Sequence, residues 1–251
     1  MRSERFVIVA MLLTLGACSD GAQTTDRSAG DHAGDNVRSA LPEVSAPASP
    51  VPAARLDTKG SSVRSCAAQI GAAAAKKRVD VCRDVSPATH PPCNAANSCA
   101  LIEDEIARSC ALFDDDGAPM KGCDTDPKGS QAAADVVRRY YSAIDARDYA
   151  TAWTQWGDDG RPGQTLAAFE RGFDHTRSTH VSVGALKPAE GGAGSIYQEV
   201  PVTVEATLDD GTRQRFTGTY VIRRVNGVDG ASASQLRWHI DSAVLKPASG
   251  S

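Results

Sequence analysis

Val200-Pro201-Val202-Thr203-Val204-Glu205-Ala206-Thr207-Leu208-Asp209-Asp210-Gly211-Thr212-Arg213-Gln214-Arg215-Phe216-Thr217-Gly218-Thr219-Tyr220 decides the fold. Apolar residues alternate with polar ones on both sides of Asp-Asp-Gly, the pattern of two half-buried strands joined by a turn. A two-residue turn would set Val200, Val202 and Val204 against Thr217, Thr219 and Val221, a mixed surface. A three-residue turn, type I followed by a left-handed Gly211, moves the register by one. Leu208 then opposes Thr212, Val204 opposes Phe216, Val202 opposes Gly218 and Val200 opposes Tyr220, so one face is apolar throughout. The other face pairs Glu205 with Arg215 and Thr203 with Thr217, as a wet sheet surface should. The three-residue register is therefore expected.

Upstream of the hairpin the period is helical. Ala132 to Ile144 carries apolar residues at 133, 136/137, 140 and 144 with arginines between, and Asp145-Ala146-Arg147-Asp148 ends it. A short helix with Tyr149, Ala152 and Trp153 follows, then a Gly- and Asp-rich loop, then a third helix from Thr165 to Phe173. From Thr179 the period becomes two. A last strand is expected to turn Leu236, Trp238, Ile240, Ser242 and Val244 inward and Arg237, His239 and Asp241 outward. Helices first and then antiparallel strands give an α+β class, with N-terminal helices packed on one face of a curved antiparallel sheet.

The run Tyr140-Tyr141-Ser142-Ala143-Ile144-Asp145-Ala146-Arg147-Asp148-Tyr149-Ala150-Thr151-Ala152-Trp153 resembles the opening of nuclear-transport-factor-2-like domains, the SnoaL and ketosteroid-isomerase superfamily. The resemblance covers residues 131–247 and implies a cone, with a sheet wrapped around helices. It also implies that an enzyme of this kind would carry an acidic or histidine side chain on the concave side, tuned by burial. The inward positions run Gln198, Val200, Val202, Val204, Phe216, Gly218, Tyr220, Ile222, Trp238, Ile240 and Ser242, without Asp, Glu or His. His175 and His180 flank the first strand at the rim. No catalytic residue is assigned. A small apolar ligand, if the cone takes one, would touch Tyr140, Trp153, Phe216, Tyr220 and Trp238.

Six cysteines precede this domain: Cys66, Cys82, Cys93, Cys99, Cys110 and Cys123. An even number packed so closely, in a chain read below as exported, points to a disulfide framework. The Ala-rich stretch from Cys66 to Cys82 favours a helix despite Gly71, prolines forbid helix from 87 to 92, and Asn97-Ser98 can cap a second helix from Cys99 to Cys110. An antiparallel hairpin of the two would pair Cys66 with Cys110 and Cys82 with Cys99, leaving Cys93 for Cys123. No CxxC pair occurs, the six sulfurs are widely spaced, and His90 precedes Pro91-Pro92-Cys93, so no metal is expected. Asp114-Asp115-Asp116-Gly117 lacks the alternating ligands of a calcium loop and reads as a solvated turn.

The chain opens with Arg2 and Arg5, an apolar run from Phe6 to Leu15, and Leu15-Gly16-Ala17-Cys18. The apolar run is too short to span a membrane. A basic start, a short apolar core and small residues before the cut mark a signal peptide. Ending in cysteine, the pattern resembles a bacterial lipobox, which implies cleavage before Cys18 and acylation there, palmitate included. Ser19 in place of Asp implies the outer membrane. Residues 19–62, rich in Ser, Ala, Gly, Asp and Pro without an aromatic, are expected to be a disordered tether.

The expected organisation is a signal peptide at 1–17, a lipidated tether at 18–62, a cysteine-rich helical segment at 63–128 and the α+β domain at 129–248. Of 251 residues, 27 are Lys or Arg and 31 Asp or Glu; loss of the signal leaves 25 against 30. That mild acidity offers nothing to nucleic acid. All three Trp and all five Tyr lie after residue 139, so the larger core is C-terminal. The function expected from these parts is a non-enzymatic lipoprotein of the outer membrane, facing the periplasm, without cofactor or metal. It would be held to the membrane by its lipid and act as a protein-binding accessory of the cell envelope, in secretion or immunity. The alternative is a small-molecule binder or SnoaL-like enzyme using the cone.

Overall fold

The computed structural model describes residues 62–87, 91–112 and 120–248. The lipobox with Cys18, the tether, His90 and the Asp114–Asp116 turn lie outside the described residues.

Seven helices and five strands follow in order among the described residues: α1 Cys66–Ile70, α2 Ala72–Val85, α3 Cys99–Leu112, α4 Ser130–Asp145, α5 Tyr149–Thr154, α6 Leu166–Arg171, β1 Thr176–Val183, β2 Glu190–Gly192, β3 Ser195–Leu208, β4 Arg213–Val225, α7 Ala233–Leu236 and β5 His239–Pro247. The strands form one antiparallel sheet in the order β1-β3-β4-β5, with β2 folded onto β3. Helices α4 to α6 cover one face of this sheet, as the alternation and the helical period require.

The hairpin keeps the expected register. Val200 pairs with Tyr220, Val202 with Gly218, Val204 with Phe216, Glu205 with Arg215 and Thr203 with Thr217. Gly211 sits at φ 87°, its N–H donates to Leu208 O, and Leu208 N–H donates to Thr212 O, which closes the three-residue turn. Val200, Val202 and Val204 are buried, and the Glu205–Arg215 pair spans 3.9 Å on the wet face.

β5 departs from the expected alternation. Ile222 pairs with Ile240 while Val221 pairs with Ser242, so Asp241 is one residue too many on β5. This β-bulge reverses the facing of everything after it. Ala243 and Leu245 pack against the core instead, Ser242 is exposed, and Val244 is 63% exposed. Leu236 also leaves the expected strand: it closes the short helix α7, which Ser232 and Gln235 cap reciprocally, and it is exposed.

The core beneath the sheet is aromatic. Tyr140 meets Tyr141, Trp156, Phe169 and Tyr220 at ring-centroid distances of 5.0 to 6.2 Å, and Phe169 also meets Tyr149, Trp153 and Phe173. Such edge-on pairs add about 0.5–1.5 kcal/mol each beyond the burial of their area. Trp153 lies where a side chain on Gly160 would have to be: a Cβ there would stand 1.7 Å from the indole.

The cysteine segment has its own smaller core of Val79, Val85, Ile102, Ile106 and half-cystines. The expected single helix from Cys66 breaks at Gly71, at φ 84° and ψ 151°, a conformation cheap only for glycine. The expected pairing falls with it. The disulfides are Cys66–Cys99, Cys82–Cys93 and Cys110–Cys123, not Cys66–Cys110, Cys82–Cys99 and Cys93–Cys123. The first turn of α1 runs along 95–97, with Cys66 N–H on Asn97 O and Ala67 N–H on Ala95 O. The connection between α2 and α3 thus receives both cysteines: Cys82 bonds to Cys93 within the loop, and Cys66 to Cys99 at the start of α3.

Segment and domain are locked together. Ser98 accepts from Leu101 N–H as the cap of α3 and donates to Asp148 at 2.5 Å; Asp148 accepts from Thr151 N–H as the cap of α5. One buried hydrogen bond therefore joins two helix starts. Arg64 adds its N–H to Ala146 O and its guanidinium to Asp145, which also accepts from Thr179 N–H on β1.

Candidate functional site: a cleft between two helices

The residues expected to line the cone around a small ligand are, apart from Trp238, packed in the core. Tyr140 and Tyr220 are core residues, 4% and 3% exposed, and Trp153 and Phe216 pack half-buried against the same core. Tyr141 and Tyr220 join hydroxyls at 2.7 Å inside it. Burial raises Tyr140 and Tyr220 above the usual phenol range and pushes Tyr141 up to about 12, so all three stay neutral at ordinary pH. His175 precedes β1 and is exposed, whereas His180 lies within β1 opposite Glu205, on the water-facing side of the sheet rather than at its rim.

Among the described residues a cleft of about 470 Å³ opens between α3 and α4. Helical spacing makes its walls. On α4 the positions are Ala132, Asp135, Arg139 and Ser142, and on α3 they are Ala100, Glu103, Ala107 and Cys110. Residues three or four apart share a helix face. Small residues stand on both helices, Ala100 and Ala107 on α3 and Ala132 and Ser142 on α4. Trp238 and Arg237, just before β5, and Arg78 of α2 complete the walls. The lip from Gly122 to Pro127 is stapled to α3 by Cys110–Cys123.

The cleft is rich in guanidinium. Arg78 binds Glu103 with two nitrogens at 2.5 Å, a bidentate pair that raises Arg78 further. Arg138 pairs with Asp135 at 2.6 Å. Asp104 alone serves two cations, Arg139 at 3.5 Å and Arg237 at 3.9 Å, and also accepts from Gln155 at 3.1 Å. Arg139 has only 12% of its side chain exposed; burial lowers its affinity for a proton, and Asp104 works against that. Over the indole of Trp238 stands a further guanidinium, Arg224, at 5.2 Å. Arg224 Nε and Trp238 Nε1 are buried donors without a partner among the described residues.

Sequence reasoning placed Trp238 in the cone and Arg237 on the outer face; both border the cleft. Arg139, one of the arginines between the apolar positions of α4, is nearly buried. The signal that could have found it is the second stripe of α4, Ala132, Asp135, Arg139 and Ser142, which marks a helix contacted on two sides. Among the described residues no three histidine, cysteine or carboxylate side chains converge as metal ligands do.

No family model and no curated protein matches the chain in sequence. Solved structures do resemble it. A conserved protein from Planctomyces limnophilus, 15% identical, matches 47% of this chain and 96% of its own at a TM-score of 0.35. A putative scytalone dehydratase from Novosphingobium aromaticivorans, 13% identical, matches 47% of this chain and 83% of its own at 0.35. A nuclear-transport-factor-2-like superfamily protein from Salmonella enterica, 14% identical, matches 48% of this chain and 92% of its own, also at 0.35. No activity is carried over from them.

Proposed function

We propose that the chain is a lipid-anchored binding module of the bacterial outer membrane, facing the periplasm and without catalytic role, and that it engages its target at the cleft between α3 and α4. The observation that supports this reading is the contrast between the two concavities. The cone is filled by tyrosines and other aromatics, whereas the cleft is open and of the size that ligand sites have, ~300–1,000 Å³. Its walls carry Arg78, Arg138, Arg139 and Arg237 beside Glu103, Asp124 and Asp135, a charged lining that suits recognition of a polar target.

Photocrosslinking tests the reading. A benzophenone amino acid is placed at Ala111, on the cleft wall, or at Val244, exposed on β5. In native envelopes the Ala111 position is expected to give a discrete adduct that the Val244 position lacks. Equal adducts at both positions, or none at Ala111, would overturn it.

A further inference from the structure

We propose that the cleft takes a small amphipathic organic acid, its carboxylate held by Arg139, Arg237 and the Trp238 indole, its apolar body against the α3 wall. The proposal rests on the cleft being the binding site and names the chemistry of what binds there.

Three observations converge on one end of the cleft. Asp104 is shared by Arg139 and Arg237 at 3.5 and 3.9 Å, so two guanidiniums lean on one carboxylate. Trp238, 7% exposed and part of the cleft wall, carries an indole N–H with no acceptor among the described residues. Arg224, which stacks on the same indole at 5.2 Å behind the cleft wall and does not itself line the cleft, has its Nε buried and without an acceptor among the described residues. A buried donor left without a partner costs about 1–3 kcal/mol, and a bound acceptor removes that cost. Guanidinium geometry favours a planar two-oxygen acceptor, which a carboxylate provides.

The α3 wall is of a different kind. Ala107, Ala111, Ile106 and the Cys110–Cys123 bridge form an apolar wall, and Arg78 is occupied by its bidentate pair with Glu103. A ligand lying in the cleft meets Arg139, Arg237 and Trp238 as well as the apolar α3 wall, in a lining that also holds Asp124 and the mutually paired Arg138 and Asp135. A purely apolar ligand would leave the donors unsatisfied, and a cationic one would face Arg139 and Arg237.

The test uses the full acylated chain in phospholipid nanodiscs, with empty nanodiscs as the blank. Four probes share one body: 4-phenylbutyrate, 4-phenylbutyl phosphate, 4-phenylbutanol and 4-phenylbutylamine. The readout is the indole N–H resonance of Trp238, assigned through Trp238→Phe, with saturation giving Kd. The carboxylate is expected to shift that resonance saturably and to bind at least ~10-fold more tightly than the alcohol or the amine, the worth of one charge-assisted hydrogen bond. Arg237→Gln should weaken the carboxylate by ~10-fold or more without changing the alcohol. Ala107→Leu, which fills the cleft without touching a charge, should weaken every probe that binds.

Equal affinity for amine and carboxylate, or binding that leaves the indole resonance in place, would overturn the proposal. Tighter binding of the phosphate than of the carboxylate would overturn the choice of acid. No saturable shift with any probe, beside a specific adduct at Ala111, would sink the organic acid and leave the cleft as the recognition site. No shift and no adduct would sink both.

Discussion

The two halves of the described body solve the same problem by different means. Residues 129–248 bury interlocked aromatics beneath a sheet and contain no half-cystine. Among the described residues of 62–128 there is no buried aromatic; three disulfides close around a handful of valines and isoleucines. A core that small stabilises little by burial alone, and cross-links that restrict the unfolded chain make up the difference. Where the two meet, the contact is made by paired charges and shared helix caps rather than by interdigitating large side chains. That choice leaves the cleft.

The largest expected effect breaks the aromatic half. Phe169→Ala removes a ring that is 1% exposed and touches four others, and should cost about 3–5 kcal/mol, read by denaturant unfolding. The covalent half is tested by replacing Cys110 and Cys123 with serine, which opens a loop of sequence separation 13 and should cost about 3 kcal/mol. Because all Trp and Tyr lie after residue 139, near-ultraviolet circular dichroism should barely change in that variant while far-ultraviolet helix signal falls. Loss of the aromatic signal would mean that the halves fold as one.

Gly218→Ala should cost about 1–3 kcal/mol by overpacking, since its Cβ would meet Val244 O at 2.0 Å and push β5 from β4. A leucine at 218 would therefore disrupt the sheet rather than plug a pocket. Ser98→Ala removes the joint cap, expected at about 1 kcal/mol, and hydrogen exchange should quicken in the first turns of both α3 and α5. Quickening in α3 alone would show that the halves are less coupled than the shared bond implies.

Acid separates the halves with a smaller effect. Burial pushes Glu105 up, but hydrogen bonds from Arg108, Ser86 and Ser109 outweigh it and leave the carboxyl below its ordinary value. The unfolded chain then binds the proton more readily, so this contribution is full above the ordinary carboxylate pKa and fades as pH falls through the lowered one. Denaturant midpoints of the cysteine half should drop on acidification below about pH 4, and Glu105→Gln should flatten that drop.

Legibility divided along the same line. Alternation and one glycine were enough for the β3–β4 register, because a shift by one residue would have turned every valine to water. The helices α4 to α6 were equally plain from period and caps. Asp241 was not: a bulge adds a residue without changing composition, and only pairing with β4 reveals that Val244 faces out. The disulfides failed for a comparable reason. Whether Gly71 is tolerated within a helix or breaks it decides which cysteines meet, and local propensity favours neither strongly enough. The cleft was the least legible, since it is defined by what α3 and α4 lack.

The tie at Arg64 has a mechanical consequence. A pull on the N-terminal side of the chain arrives first at Arg64, which is held by Ala146 and Asp145, and then at Cys66. The bond to Cys99 passes the load straight into α3, across a sequence separation of 33. The helices α1 and α2 are thereby bypassed and carry no tension while that bridge is intact. Under force the molecule is shorter by this loop, and it yields first at the Arg64 clamp rather than in either core.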